Sequence, residues 1–206
     1  MRRFSKVSIV LSHEGNEESE FSVPSVEMTN GSASVQVSDL ESALGILPPG
    51  SEVTVVATGT VGNKTVHTIS RIIREGCVLV ALDLSAVTEL SRVFDSPFQG
   101  NKNLFAMQFP NNLVSINPRA FADCTNLVSV SIPATVKKIG VQAFAGCEKL
   151  TALEFADPHQ WMSCVDEQSP VDVPDLDNPE DNAFKFSMRS GAYYNTVLQK
   201  SALKEA

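Results

Sequence analysis

Residues 124–144 read CTNLVSVSIPATVKKIGVQAF, and residues 101–121, which lie 23 positions earlier, read NKNLFAMQFPNNLVSINPRAF. Paired positions in the two stretches are Leu104 and Leu127, Pro110 and Pro133, Ile116 and Ile139, Ala120 and Ala143, and Phe121 and Phe144. Phe98 lies 23 positions before Phe121, and Leu150 lies 23 positions after Leu127. A fixed period of about 20–50 residues is typical of repeat proteins, in which each unit covers the open side of its neighbour.

Each unit contains a short segment that predicts a β-strand. Val130 and Ile132 alternate with two serines, which is the two-residue period of a strand with one buried face. Pro133 lacks a backbone donor and should end the strand. We expect the chain to return through residues 141–144 as a short helix or 3₁₀ turn, with Phe144 as the large buried side chain.

The strand and its flanks match the pattern of a leucine-rich repeat. The leucine positions of the pattern L-x-x-L-x-L are occupied by Leu127, Val130 and Ile132. One unit earlier they are occupied by Leu104, Met107 and Phe109. The residues that then complete the unit are Pro133, Ile139, Ala143, Phe144 and Cys147. In this combination the chain resembles the BspA-like, or treponemal-type, leucine-rich repeat family. The resemblance implies a bacterial periplasmic or cell-surface protein concerned with adhesion or partner recognition.

The predicted fold is α/β: a leucine-rich repeat right-handed solenoid with a parallel sheet on its concave face and terminal caps. The repeats are expected over residues 79–156, and Leu79 should fill the first leucine position of the first strand. Residues 33–78 are predicted as an N-terminal cap, preceded by an N-terminal extension over residues 1–32. Residues 157–206 are predicted as a C-terminal cap and acidic tail. Terminal units of repeat proteins depart from the pattern because they shield the end of the core.

The segments outside the repeats predict further elements. Residues 40–47 have the apolar spacing of a helix, and residues 52–58 alternate as a strand does. Residues 64–75 fit a helix, with a hairpin strand as the alternative. Three prolines, at positions 170, 174 and 179, disfavour a regular helix before Asn182. The tail over residues 196–206 is expected to be a short helix or to fray.

Composition and charge restrict the partner class. The formal net charge is −8, and the basic residues are scattered apart from a few near residue 1. A nucleic-acid-binding protein would present a basic stripe, so no nucleic-acid partner is expected. No apolar run reaches the roughly 18 residues of a membrane-spanning helix. No signal peptide is visible in this chain, which leaves the localisation open, whereas the family resemblance favours the periplasm or cell surface.

Neither a metal site nor catalytic chemistry is predicted. The four cysteines include no C-x-x-C pair. Cys124 and Cys147 hold the same repeat position and are expected to be buried thiols, with a disulfide between neighbouring units as the alternative. The three histidines lie in different predicted elements, and no nucleophile, P-loop or metalloprotease motif occurs. Acidic residues 175–181 lack the glycine and distal glutamate of a calcium loop and predict a solvated loop.

The candidate binding residues are those that point away from the core in successive strands. The first row is Ala81, Ala106, Ser129 and Ala152, and the second row is Asp83, Gln108, Ser131 and Glu154. Small side chains in line leave a shallow groove with acidic ends, although close strand spacing also explains small residues. Two hypotheses follow. One is a non-enzymatic protein–protein interaction module that binds a protein or peptide partner there, without cofactor. The alternative is a structural scaffold that self-associates, as a homo-oligomer, through the same face.

Overall fold

The computed structural model describes residues 7–13, 32–35, 40–59, 61–93, 96–164, 170–172, 174–188 and 196–200. In chain order the elements are β1 (Val7–His13), β2 (Ser32–Val35), α1 (Leu40–Gly45), β3 (Glu52–Gly59), α2 (Asn63–Glu75), β4 (Leu79–Val87), β5 (Arg92–Val93), β6 (Leu104–Gln108), β7 (Ser115–Ile116), β8 (Ser129–Ile132), β9 (Lys138–Ile139), β10 (Ala152–Phe155), β11 (Trp161–Cys164), β12 (Pro170–Asp172), α3 (Pro179–Ser187) and β13 (Val197–Lys200).

Within the described ranges, seven strands form one parallel sheet in the order β10-β8-β6-β4-β3-β1-β2. The strands of the repeats occupy one end, and β3, β1 and β2 extend the sheet on the other side of β4. The predicted α/β fold with a parallel sheet is confirmed. The sheet extends beyond the repeats, because three strands that precede them in the chain, β1, β2 and β3, also pair in parallel.

The 23-residue period sets the register between neighbouring repeats. Ala106 pairs with Ser129, and Ser129 pairs with Ala152, each one period apart. The step from β4 to β6 is different, because Val80 pairs with Leu104 whereas Ala81 pairs with Ala106. A β-bulge therefore lies in β6 and adds one residue to that strand. Equivalent side chains stand side by side across β6, β8 and β10.

The bulge corrects one sequence-based assignment. Leu79 was expected to fill the first leucine position, but it is half-buried. Val80 is fully buried and pairs with Leu104, so Val80 fills that position. The extra residue of the bulge in β6 shifts the alternation by one, and sequence spacing alone does not reveal where such an extra residue is accommodated.

A column of phenylalanine rings runs through the core of the repeats. Phe98, Phe121 and Phe144 are fully buried. The Phe98 and Phe121 ring centroids are 5.1 Å apart with planes inclined by 6°, and those of Phe121 and Phe144 are 5.4 Å apart at 7°. Phe186 from α3 ends the column with an edge contact of 6.5 Å to Phe144. The burial predicted for Phe144 is confirmed, and the 23-residue step stacks the rings of successive units.

The return segment of each repeat is a series of turns. Residues 141–146 form turns, where a short helix or 3₁₀ turn was expected at 141–144. The backbone is left-handed at Ser96, Arg119 and Gln142, with φ values of 56°, 54° and 57°. These positions are 23 residues apart, so the turn repeats its conformation in each unit. A residue in the left-handed region interrupts a right-handed helix, which explains the difference.

A second sheet lies on the return side of the repeats, in the order β12-β11-β13-β9-β7-β5. The short strands β5, β7 and β9 pair in parallel, and β13 joins β9 and β11 in antiparallel fashion. The expectation of a helical or frayed tail is wrong for residues 197–200, which form this β13 strand. Pairing on both sides and the burial of Leu198 select the strand.

The helices agree with the sequence upstream of the repeats and differ downstream. Helix α1 and strand β3 are present as predicted, and α2 is a helix rather than the alternative hairpin strand. Helix α3 begins at Pro179, so the prediction that prolines exclude a helix before Asn182 is wrong. Proline fits the first helical position because its missing N–H would be unpaired there. The Asn178 side chain accepts the N–H bonds of the following turn.

Helix α3 takes the place of a further repeat at the end of the array. The Gly146 N–H donates to the Ser187 carbonyl at 2.8 Å. In the two preceding units the equivalent bonds run from Gly100 to Ala122 and from Asp123 to Ala145, at 2.8 and 2.7 Å. Asn182 also donates its side-chain amide to the Leu153 carbonyl at 3.1 Å. The helix thus satisfies backbone groups that a following unit would otherwise have paired.

Candidate functional site

A groove on the large sheet contains all eight residues that the sequence placed there. Its volume is about 330 Å³. The lining residues are Thr54, Ala81, Leu82, Asp83, Ala106, Met107, Gln108, Ser129, Val130, Ser131, Ala152 and Glu154. The groove therefore crosses β3, β4, β6, β8 and β10, one strand after another.

The strand register places the two predicted rows along this groove. In the first row, Ala81 pairs with Ala106, and Ser129 pairs with both Ala106 and Ala152. The second row is Asp83, Gln108, Ser131 and Glu154, paired in that order. Because side chains alternate between the two faces of a strand, the rows lie two residues apart on the same face.

Burial separates this face from the core face. Leu82, Met107 and Val130 point into the core and are 1–4% exposed. The residues between them are half-buried or exposed, and the most exposed are Gln108, Ser129, Ser131 and Glu154. The alternation predicted for the strands is present, and it leaves the middle of the groove shallow because alanine and serine side chains are short.

Only acidic side chains carry charge in the lining of the groove. Asp83 and Glu154 lie at opposite ends of the second row, and no lysine, arginine or histidine is among the described lining residues. The Asp83 carboxylate accepts the backbone N–H of Ser85 at 2.8 Å, which holds that side chain in place within β4. The groove thus has a weakly polar middle between two carboxylates.

Sequence reasoning missed one strand of the groove. Thr54 lies on β3 and pairs with Ala81, so it extends the first row by one position. The alternation of residues 52–58 identifies Thr54 as an outward residue of its strand. The alternation does not predict that this strand lies beside β4, because β3 lacks the repeat pattern.

A second hollow adjoins the groove at β10. Its volume is about 630 Å³, and it is lined by Thr151, Ala152, Asp177, Asn178, Pro179 and Glu180. Ala152 belongs to both the groove and the hollow. The sequence did not reveal this neighbour, because only the packing of α3 brings residues 177–180 beside β10.

Residues 175–181, compared above with a calcium loop, form the entry to α3. The Asp175 carboxylate accepts the backbone N–H of Asp177 at 3.1 Å. The Asn178 side chain accepts the N–H groups of Glu180 and Asp181 at 3.0 and 3.2 Å. In the part of the chain that the structure describes, no group of three or more histidine, cysteine or acidic residues could hold a metal ion.

Cys124 and Cys147 are free thiols, not a disulfide. Each Sγ donates to a carbonyl of the preceding unit, Cys124 to Phe98 at 3.0 Å and Cys147 to Phe121 at 3.1 Å. Burial raises the pKa of the Cys124 thiol to about 12 and also raises the pKa of Cys147. Asn101 occupies this position one unit earlier and donates its amide to the Ser70 carbonyl at 3.0 Å. The position therefore carries a donor that ties successive units together.

This environment predicts selective thiol reactivity. Because the thiolate is the reactive species, Cys124 and Cys147 should resist iodoacetamide in the native protein at a pH of about 8, whereas exposed Cys77 should react. Mass spectrometry of peptides after brief labelling measures each site. Labelling in denaturant is the control and should modify all three. Native labelling of Cys147 at the rate of Cys77 would contradict the buried donor geometry.

An ion pair secures the tail strand near the end of the array. Lys200 on β13 bonds to the Asp157 carboxylate, and the Lys200 ammonium also lies 5.6 Å from the centre of the Trp161 ring. The hydrogen bond from Lys200 lowers the pKa of Asp157.

The structure describes the side chains of two histidines, His67 and His159, and both are exposed. None of the helices within the described ranges combines the length and apolar character needed to span a bilayer.

A comparison with known families gives a match. The family model for the BspA type leucine rich repeat region matches residues 63–163, in six copies. The matched region begins at α2, inside the segment predicted as the N-terminal cap, and it ends within β11. The comparison with curated proteins found no match.

Proposed function

Because residues 63–163 are a BspA-type leucine-rich repeat region, we propose that the protein is a non-enzymatic interaction module that binds a protein or peptide partner in the groove. Leucine-rich repeats generally mediate protein–protein interactions through an extended face. The observation that carries the proposal is the groove itself, whose lining contains every outward residue of the two predicted rows.

The proposed architecture is a right-handed solenoid with the groove on its concave face. Parallel pairing of successive strands supports this, since parallel crossovers are right-handed in about 98% of cases. We propose that residues 33–78 and 157–206 act as caps at the two ends, preceded by an extension over residues 1–32. The bonds of Gly146 and Leu153 to α3 support the C-terminal cap.

The middle strands supply a rigid surface. Each of β4, β6 and β8 pairs with a neighbour on both sides, so the floor of the groove is held by backbone hydrogen bonds. A surface that is ordered before binding loses little conformational entropy when a partner arrives. From the resemblance to the BspA-like family, we also propose that such a module serves in bacterial adhesion or recognition.

The proposal is tested by placing a lysine in the middle of the groove. Peptides are first selected from a random displayed library against the wild-type protein, and their binding is then measured on Ala106→Lys. We expect the variant to bind at least about tenfold more weakly, because the long side chain fills the groove and must be displaced. Circular dichroism should remain that of the wild type, since Ala106 is partly exposed.

Ala134→Lys is the matched control, because Ala134 is exposed and does not line the groove. It should bind the selected peptides like the wild type. If Ala106→Lys retains wild-type binding to every selected peptide, the interaction site lies elsewhere and the proposed groove is wrong.

The alternative scaffold would self-associate through the same face. Two copies meeting there would bring the carboxylates Asp83 and Glu154 of both grooves into one interface, which lacks a described basic residue in its lining. Like charges in an interface are costly. We therefore favour a different protein or peptide as partner, and sedimentation over a concentration series separates the two functions.

A further inference from the structure

The groove and the hollow beside it form one acidic track across the sheet. They share Ala152, so a bound segment that leaves the groove at β10 passes directly to the start of α3. The charged residues along this track are Asp83, Glu154, Asp177 and Glu180. Among the described residues that line the two depressions, every charged side chain is a carboxylate.

We propose that the occupant is an extended basic segment of a partner protein, which lies across the strands and carries two lysine or arginine residues four positions apart. The inference rests on the proposed docking function of the groove and adds the chemistry of the partner. The cationic groups pair with Asp83 and Glu154, and a small side chain between them faces Gln108 and Ser131.

The spacing of the two carboxylates determines the spacing in the partner. Asp83 and Glu154 are separated by three strand-to-strand steps, through Gln108 and Ser131. At about 4.8 Å per step this is about 14 Å. An extended chain rises about 3.4 Å per residue and alternates its side chains, so residues at i and i+4 share a face about 14 Å apart. Residues at i and i+3 point to opposite faces.

The partner must lie across the sheet and cannot add a strand to it at the groove. Strands β4, β6 and β8 already have a neighbour on each side, and the outer edge of β10 is met by α3 through the Asn182 amide. The incoming segment therefore cannot form β-sheet hydrogen bonds with the strands of the groove. Recognition must come from side chains, which makes the two carboxylates, with Gln108 and Ser131 between them, the specificity elements.

The charge of the groove favours a basic protein segment over a nucleic acid or a second copy of this chain. A nucleic acid would bring phosphates against carboxylates, and a second copy of this chain carries a formal net charge of −8. A basic segment instead neutralises the track, and electrostatic complementarity of this kind raises the association rate and rejects acidic competitors.

The test uses the full-length chain and a set of fluorescent synthetic peptides that differ only at two positions. The peptides carry lysines at i and i+4, lysines at i and i+3, glutamines at i and i+4, or glutamates at i and i+4, with alanine and serine between them. Anisotropy at low salt should show the i and i+4 lysine peptide binding roughly fivefold more tightly than the glutamine peptide. The preference should fall at about 0.3 M salt, since exposed charge pairs are screened.

The double variant Asp83→Asn/Glu154→Gln should lose the lysine preference. Its control, Glu89→Gln/Glu148→Gln, makes the same change in net charge at exposed positions outside both depressions and should keep the preference. Equal binding of lysine and glutamine peptides overturns the inference, as does a lysine preference that survives in the groove double variant. Equal binding of the two lysine spacings overturns the arrangement across the strands.

These failures are separable from failure of the proposed function. If library-selected peptides distinguish wild type from Ala106→Lys but show no preference for basic residues, the groove binds partners and only the basic occupant is wrong. If the selected peptides bind Ala106→Lys normally, the docking function itself fails.

Discussion

Truncation of Phe121 to alanine is expected to destabilise the protein by about 3–5 kcal/mol. The ring is fully buried and stacks between Phe98 and Phe144, with centroid distances of 5.1 and 5.4 Å. It also makes an edge contact with Phe109 at 5.6 Å. Removing it opens a cavity that the neighbouring units cannot close, because the 23-residue register holds their backbones apart.

The expected loss is a large part of the total stability of a protein domain, which is about 5–15 kcal/mol. Urea unfolding followed by circular dichroism measures it, as a lower midpoint at unchanged slope or as a chain that is already unfolded. Phe184→Ala is the matched control, since Phe184 is 65% exposed and should change stability by less than about 0.5 kcal/mol. A Phe121→Ala midpoint equal to that of wild type would show that the ring column is not the core.

Substitution of Gly140 by alanine is the second large effect, with an expected loss of about 1–3 kcal/mol or more. A Cβ atom at this position would lie 2.4 Å from the backbone nitrogen of Pro118 and 2.7 Å from the Asn117 carbonyl carbon. The Gly140 N–H donates to the Ile116 carbonyl at 2.8 Å. The two backbones can separate only by stretching this bond between neighbouring units.

Gly45→Ala is the control for the glycine prediction, because a Cβ atom there would have no neighbour within 4 Å. That variant should match the wild type or be slightly more stable, as the alanine restricts the unfolded chain. Differential scanning calorimetry of both variants measures the difference in melting temperature. If Gly140→Ala has the same melting temperature as Gly45→Ala, the close approach of the two repeat backbones is wrong.

Much of the groove could be predicted because it follows from local repetition. Ala106, Ser129 and Ala152 are one period apart in the sequence, and the sheet pairs them in that order. Alternation within each strand then decides which side chains face out. Neither argument needs knowledge of the rest of the chain, which is why both predicted rows line the groove although Leu79 was misassigned within its own strand.

The parts that sequence analysis missed depend on contacts between distant segments. Residues 197–200 read as a short helix or a frayed end, but β9 and β11 supply hydrogen-bonding partners that select a strand. The prolines disfavour a helix before Asn182 when they are considered only as helix breakers, whereas Pro179 stands at the start of α3. The second hollow exists only because that helix packs beside β10.

The repeat period, the buried columns and the outward rows follow from the sequence alone, since each depends on interactions that recur between neighbouring units. The place of β3 beside β4, the bulge in β6 and the end of the array at α3 emerge only in the folded chain. Each of these depends on contacts between segments that are far apart in the sequence: β3 and α3 pair backbone groups at the two ends of the repeats, and the bulge adjusts the register between β4 and β6.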